Sequence, residues 1–202
     1  MITCLSTLTK LEEVALGFKS SQSELYQTIQ LPSPGPSTVL PSLTSLRFRG
    51  DYWYLEVLIS RIGLPLLDNI DITFFCGPEF DSPLLCEFLG RIRTFEALCR
   101  ADITFHEDLV DITLSPPEGL TGCRPLKIGI LCGRLHHQIS SLTLLCGSHL
   151  PPLRTLEHLY IHMPFPLHPY NMTEMPQWLE MLHPFKSVKN IHPPWTLSPM
   201  RK

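Results

Sequence analysis

Two groupings of nucleophilic and ligating side chains in this 202-residue chain invite a chemical reading. The first is Cys132 followed by His136 and His137. A cysteine nucleophile needs a thiolate whose pKa is lowered by a neighbouring cation, and a donor placed for the oxyanion. Nothing in the sequence marks either, and "IGILCG" around this thiol has the apolar character of a buried strand. The second is His158 and His162 with Tyr160 between them. On a strand these three share a face, but positions four apart are separated by about 13 Å. That is too far for both imidazoles to ligate one ion, and a zinc site takes about four ligands. His136 and His137 are adjacent and point in different directions, which also disfavours chelation.

Seven cysteines, an odd number, stand at 4, 76, 86, 99, 123, 132 and 146, most of them flanked by Leu, Ile or Phe. No pair has the CxxC spacing of a zinc ribbon or a redox motif. Buried free thiols in a reducing compartment account for them better. No GxGxxG, Walker-type, GxSxG or HExxH phrase occurs. The expectation is therefore a protein that is not an enzyme and uses no metal or cofactor.

Composition narrows the class further. Apolar residues make up 44% of the chain and charged residues 17%, enough to build a core and too apolar for wholesale disorder. The formal charge is −3 and the basic residues are scattered, so no face gathers the positive field that phosphate backbones require. The opening "MITCLSTLTKLEE" lacks the basic-then-apolar layout of a secretory signal. No apolar run reaches the roughly 18–20 residues that cross a bilayer. The expected setting is cytoplasmic or nuclear, with neither nucleic acid nor membrane as partner. Twenty prolines fall mostly in clusters, at 32, 34 and 36, then 116–117, 151–152, 164 and 166, and 193–194. Proline resists helix interiors and cannot donate to a ladder, so these clusters punctuate short elements.

Between the clusters one frame recurs: apolar-x-x-apolar-x-x-apolar-x-apolar. It occurs at Leu8, Leu11, Val14, Leu16; at Leu40, Leu43, Leu46, Phe48; and at Leu64, Leu67, Ile70, Ile72. It returns at Leu120, Cys123, Leu126, Ile128 and at Leu153, Leu156, Leu159, Ile161, with degenerate copies starting at Ile92 and Phe185. Steps of three followed by a step of two describe a turn that plugs leucines into an interior and then becomes a short strand. No single copy can bury its apolar side alone, so copies must stack. Leucine-rich repeats, at about 20–29 residues, are the nearest repeat class. The predicted fold is α/β: an irregular leucine-rich-repeat solenoid over residues 1–192, with a parallel sheet on the concave side and helices or loops on the convex side.

Several spacers carry helical stripes. "DYWYLEVLISRI" places Tyr54, Leu55, Leu58, Ile59 and Ile62 together, with Asp51 as N-cap. "DSPLLCEFLGRI" has Asp81 or Ser82 as cap and an early Pro83. "HHQISSLTLLC" and "MPQWLEMLHPF" are similar. Residues 103–114 read instead as strand, turn, strand, an extra hairpin. Residues 19–39 read as an irregular loop, and 193–202 as a tail.

Alternation along the strands assigns a set of side chains to the concave face. They are Ser45, Arg47 and Arg49, then Asn69, Asp71 and Thr73, then Asp102, Thr104 and His106, then Lys127, and finally His158, Tyr160 and His162. A polar, mixed-charge stripe with Tyr and Arg is what repeat proteins use to hold a partner, although any outer sheet face is polar. Tyr52, Trp53 and Tyr54 cannot all face inward on one helix, so at least one is expected to be exposed; Trp178 and Trp195 are expected on repeat edges.

The phrases "VLPSLTSLRFRG", "YLEVLISRIGLPLLDNIDITFF", "FDSPLLCEFLGRI", "LPPLRTLEHLYI" and "QWLEMLHPFKSVKNI" resemble the leucine-rich-repeat portion of F-box-like proteins of mushroom-forming fungi. The resemblance covers roughly residues 5–192, and "LPLLDNI" and "WLEMLHPF" are its most specific wording. It implies the substrate-recognition arm of a cullin–RING ubiquitin ligase, with an unknown substrate protein as partner. The helical F-box does not occur in these 202 residues. Docking to the cullin–RING adaptor is therefore expected only if an F-box is supplied elsewhere. The competing expectation is a truncated or degenerate paralogue with a structural role and no ligase docking.

Overall fold

Each copy of the frame begins as a turn and ends as a strand of one sheet. The computed structural model describes residues 8–18, 38–75, 83–120, 123–147, 150–163 and 175–193. In five copies the N–H of the second apolar residue donates to the carbonyl of the first: Leu11 to Leu8, Leu43 to Leu40, Leu67 to Leu64, Leu98 to Phe95 and Val188 to Phe185, at 3.1–3.4 Å. That turn lets side chains three apart point the same way, and Leu40, Leu43, Leu46 and Phe48 are all buried.

The strands that follow are β1 (Glu13–Gly17), β3 (Ser45–Gly50), β5 (Asn69–Phe75), β6 (Arg100–Phe105), β8 (Leu126–Leu131), β9 (His158–His162) and β10 (Asn190–His192). All seven copies thus contribute a strand to one eight-stranded sheet, whose eighth member is β7 (Leu109–Ser115). Their registers line up a single inward row: Val14, Leu46, Ile70, Leu126, Leu114, Ala101, Leu159 and Ile191. The row places the degenerate fourth copy at Phe95, Leu98, Ala101 and Ile103, one step later than a start at Ile92. Ala101 is small enough to escape a search for large apolar residues.

Successive copies are tied by a recurring backbone device. Two consecutive N–H groups, just before the strand, share one carbonyl of the preceding copy. Thr44 and Ser45 donate to Glu12, and Asp68 and Asn69 donate to Thr44. Glu157 and His158 donate to Cys99, and Lys189 and Asn190 donate to Glu157.

The stack does not follow chain order. The strands run β1-β3-β5-β8-β7-β6-β9-β10, all parallel except β7. The hairpin expected over 103–114 exists, with His106 N–H closing its turn on the Leu109 carbonyl at 2.7 Å. Its consequence is a reordering. Once β7 folds back along β6, its other edge is taken by β8, and β8 in turn pairs with β5. The copy that follows β5 in sequence therefore lies three places away from it.

The helices α1 (Tyr52–Ile59), α2 (Pro83–Gly90), α3 (Leu135–Gly147) and α4 (Met175–Leu182) pack on one side of the sheet. Leu55, Leu58, Ile59, Leu85, Phe88, Leu89, Ile139, Leu142, Leu145 and Met181 meet the inward strand rows in one continuous core. Two expectations for α1 need correction. Tyr54 does not join the buried stripe; it is 42% exposed and stacks on Phe18 at 4.6 Å. Ile62 is buried but lies past the helix end, in β4 (Ile62–Gly63). Asp51 stands at the N-cap position with extended backbone, yet its side chain makes no capping hydrogen bond. Thr38 and Val39, the last residues of the segment read as irregular, form β2 and pair in parallel with β4. Residues 19–37, Asp81, Ser82, Trp195 and the tail from 194 lie outside the described residues, and α2 follows directly from the position of the expected caps.

Candidate functional site

Among the described residues, no helix packs on the sheet's second face. Inward residues are nearly all fully buried, whereas their outward neighbours are partly or fully exposed. Arg47, Arg49, Asn69, Asp71, Thr73, Asp102, Thr104, Lys127, His158, Tyr160 and His162 all project from this open face. His106 lies just past β6, in the hairpin turn, and reaches the same face through Nε2, 2.9 Å from Asp111. Behind that turn, the buried amide of Gln138 donates to the carbonyls of His106, at 2.8 Å, and Cys132, at 2.9 Å. Helix α3 thereby fixes the turn that presents His106.

The registers join these residues into rows. One runs Arg47, Asp71, Lys127, Thr113, Asp102, Tyr160 and His192; a second runs Arg49, Thr73, Gly129, Asp111, Thr104 and His162. At the β3–β5 end, Arg47 Nε lies 3.4 Å from Asp71, Asn69 donates to Ser45 Oγ at 3.0 Å, and Arg49 lies over the Phe75 ring. These contacts are loose and solvated, since the Arg47 side chain is 72% exposed.

The β6–β9–β10 end is more tightly built. Arg100 grips Asp102 with two hydrogen bonds, Nε to Oδ2 at 2.8 Å and Nη2 to Oδ1 at 2.7 Å. Its guanidinium also sits 4.1 Å from the centre of the Tyr160 ring, and His192 stacks on that ring at 4.2 Å. His162 Nε2 approaches Asp102 at 3.4 Å, and the Asn190 amide lies 3.3 Å from His158 Nδ1. The hydrogen bonds to Asp102 hold the Arg100 guanidinium pKa above its ordinary value against the opposing pull of burial. A planar fork locked to a carboxylate and laid on an aromatic ring is a preorganised contact surface.

Four members of this face went unread in the sequence: Arg100, Asp111, Thr113 and His192. The signal for two of them is a triplet, Asp-Ile-Thr, at 71–73, 102–104 and 111–113. In all three copies Ile is buried while Asp and Thr face out. In the hairpin Asp102 opposes Thr113 and Thr104 opposes Asp111. Arg100 and His192 follow from extending the alternation of β6 and β10 by one step.

The cysteine sites sit elsewhere. Cys132 is buried with Sγ directed at the Ile130 carbonyl, 3.6 Å away, while the His136 and His137 rings lie 4.1 Å from each other. Cys146 is enclosed by the core, and burial pushes its thiol up to about 12. Trp178 packs on the core, its ring 5.3 Å from that of Phe105. Among the described residues, no group of three or more His, Cys, Asp and Glu side chains is placed to hold a metal ion. Nor is any helix among them long and apolar enough to cross a membrane. The chain matches no protein-family model, no curated protein and no solved structure.

Proposed function

We propose that this chain is an irregular leucine-rich-repeat solenoid acting as a protein–protein interaction module through the open face of its sheet. The observation that carries this reading is the outward row from Arg47 to His192, seven side chains long and anchored on paired strands. It mixes both charges with an aromatic anchor, Tyr160, already flanked by Arg100 and His192. Tyr and Arg are the residues that most often dominate binding energy at protein interfaces. By resemblance to the fungal F-box-like proteins, the bound protein is a ligase substrate, delivered to a cullin–RING adaptor by an F-box supplied elsewhere.

A photo-crosslinking residue placed at 47, 127 or 160 should capture a protein partner, and one placed at Leu144 on the exposed side of α3 should not. Arg47→Ala should weaken that capture with an unchanged melting temperature, and Tyr160→Ala should weaken it with only the small loss of stability that its stack with Arg100 supplies. Capture from position 144 alone would refute the assignment of the face. Joining the chain to an F-box should then lead to ubiquitination of the captured protein; a captured protein left unmodified would remove the ligase role and leave the interaction role standing.

A further inference from the structure

The two outer strands of the sheet, β1 and β10, are complementary to each other. Because Thr44 and Ser45 bond Glu12, the residues of β1 that address β3 are the even ones. The backbone groups of Glu13 and Ala15 therefore point away from the sheet. At the other edge, Asn190 bonds Glu157, so Ile191 directs its N–H and carbonyl outward, as does the carbonyl of Lys189. Lys189 stands where Glu12, Thr44, Cys99 and Glu157 stand in earlier copies, and each of those four carbonyls accepts two N–H groups from the next copy.

We infer that a second copy of this chain docks its β1 edge onto β10, parallel and head to tail, continuing the sheet across the two molecules. The internal register fixes the pairing: Glu13 beside Asn190, Val14 beside Ile191, Ala15 beside His192. In the arrangement repeated inside the fold, the N–H groups of Glu12 and Glu13 share the Lys189 carbonyl. Ile191 then donates to Glu13, and Ala15 donates to Ile191. The apolar row matches as well. Ile191 is 52% exposed, although the same frame position is buried at Leu46, Ile70, Leu126 and Leu159; Leu8 is 48% exposed, as is its counterpart Leu120 at 46%, where Leu40 and Leu153 are buried. Docking covers Ile191 with Val14 and brings Leu8 beside Phe185.

Charge chooses the partner. Inside the fold, Lys189 Nζ bonds Glu157 Oε1 at 2.7 Å across one step of the stack. Docking places Glu12 of the second copy on the other side of Lys189 at the same step. The contact is heterologous, so it adds molecules head to tail instead of stopping at a two-fold dimer. Only three ladder positions take part, which makes it weak and reversible. This inference concerns the sheet edges and stands whether or not the open face binds a partner.

Sedimentation velocity on the full chain over a concentration series tests it. The weight-average sedimentation coefficient should rise continuously with concentration, less steeply in high salt. Glu12→Lys alone and Lys189→Glu alone should each abolish the rise, and mixing the two variants should restore it, because each retains the edge the other needs. Ile191→Pro removes an outward N–H without touching the β9 ladder and should also abolish the rise; Ile191→Lys serves if the proline variant loses its cooperative melt. One constant mass at every concentration, a dimer that grows no further, or association indifferent to these edge variants would overturn the inference.

Discussion

Arg100 lies over the Tyr160 ring, 4.1 Å from its centre, while one edge of its fork, Nε and Nη2, is committed to Asp102. The two contacts divide one guanidinium between an ionic partner on its own strand and an aromatic partner on the next. A double-mutant cycle with Arg100→Ala and Tyr160→Ala should give a coupling of about 0.5–1 kcal/mol in denaturant unfolding, the range for an exposed cation–π pair. The Arg100 side chain is 37% exposed, so solvent screening keeps the value small. A coupling of zero would show that the stack does not persist in solution.

Leu159 and His158 are neighbours on β9 with opposite facings. Leu159 is fully buried in the inward row, and His158 projects from the open face. Leu159→Ala should cost ~2–5 kcal/mol in chemical denaturation. His158→Ala should stay within about ±0.5 kcal/mol. Equal losses in the two variants would refute the facing of the whole strand.

Asp51 ends β3's turn into α1 and is 8% exposed. Burial raises its carboxyl above the ordinary 3.8, because the folded state penalises the charge. The folded protein therefore holds this proton more tightly than the unfolded chain. The carboxylate's contribution is destabilising at neutral pH, and the penalty lifts as pH falls through the raised pKa. Asp51→Asn should be more stable than the parent at pH 7, with the gap closing as pH falls toward 3.8. Glu157 acts in the opposite sense, since Lys189 lowers its pKa and its contribution is lost in acid. Comparing the Asn variant with its parent at each pH cancels that background. A gap that does not change with pH would disprove the burial effect.

Thiol reactivity offers an independent view of the helix layer. Cys146 is buried and its thiol is pushed up to about 12, whereas Cys123 is only half-buried. Iodoacetamide at pH 8 should modify Cys123 in the native protein and leave Cys146 untouched until denaturant is added, as read by peptide mass spectrometry. Native labelling of both at one rate would place α3 wrongly.

The turn-to-strand frame was legible because it is local. Steps of three and two are imposed by the backbone of a few residues, and "LPSLTSLRF" or "LRTLEHLYI" carries them whole. The hairpin was legible for the same reason. Strand order was not. "NIDITFF", "RADITF" and "LVDITLS" present nearly the same pattern of side chains to their neighbours. Nothing in β5 says that β8, and not β6, will lie against it. That choice is made by the edge β7 leaves open, a relationship between distant residues. The open face was legible up to the limit of the strand ends: Tyr160 could be assigned its facing, but Arg100 and His192, which flank it, lie one residue pair beyond the strands as first drawn.

The shared carbonyls of Cys99 and Glu157, and the equivalent place of Lys189, make the far part of the stack interchangeable. Glu157 and Lys189 are 32 residues apart and hold equivalent places. Excising residues 158–189 would join Glu157 directly to Asn190, and the last strand could settle against β6 in the register β9 now uses. Such a shortened chain should still melt cooperatively. The same cut across β7 and β8 would strand an antiparallel edge with no mate, so length can change here only in whole units, and only away from the hairpin.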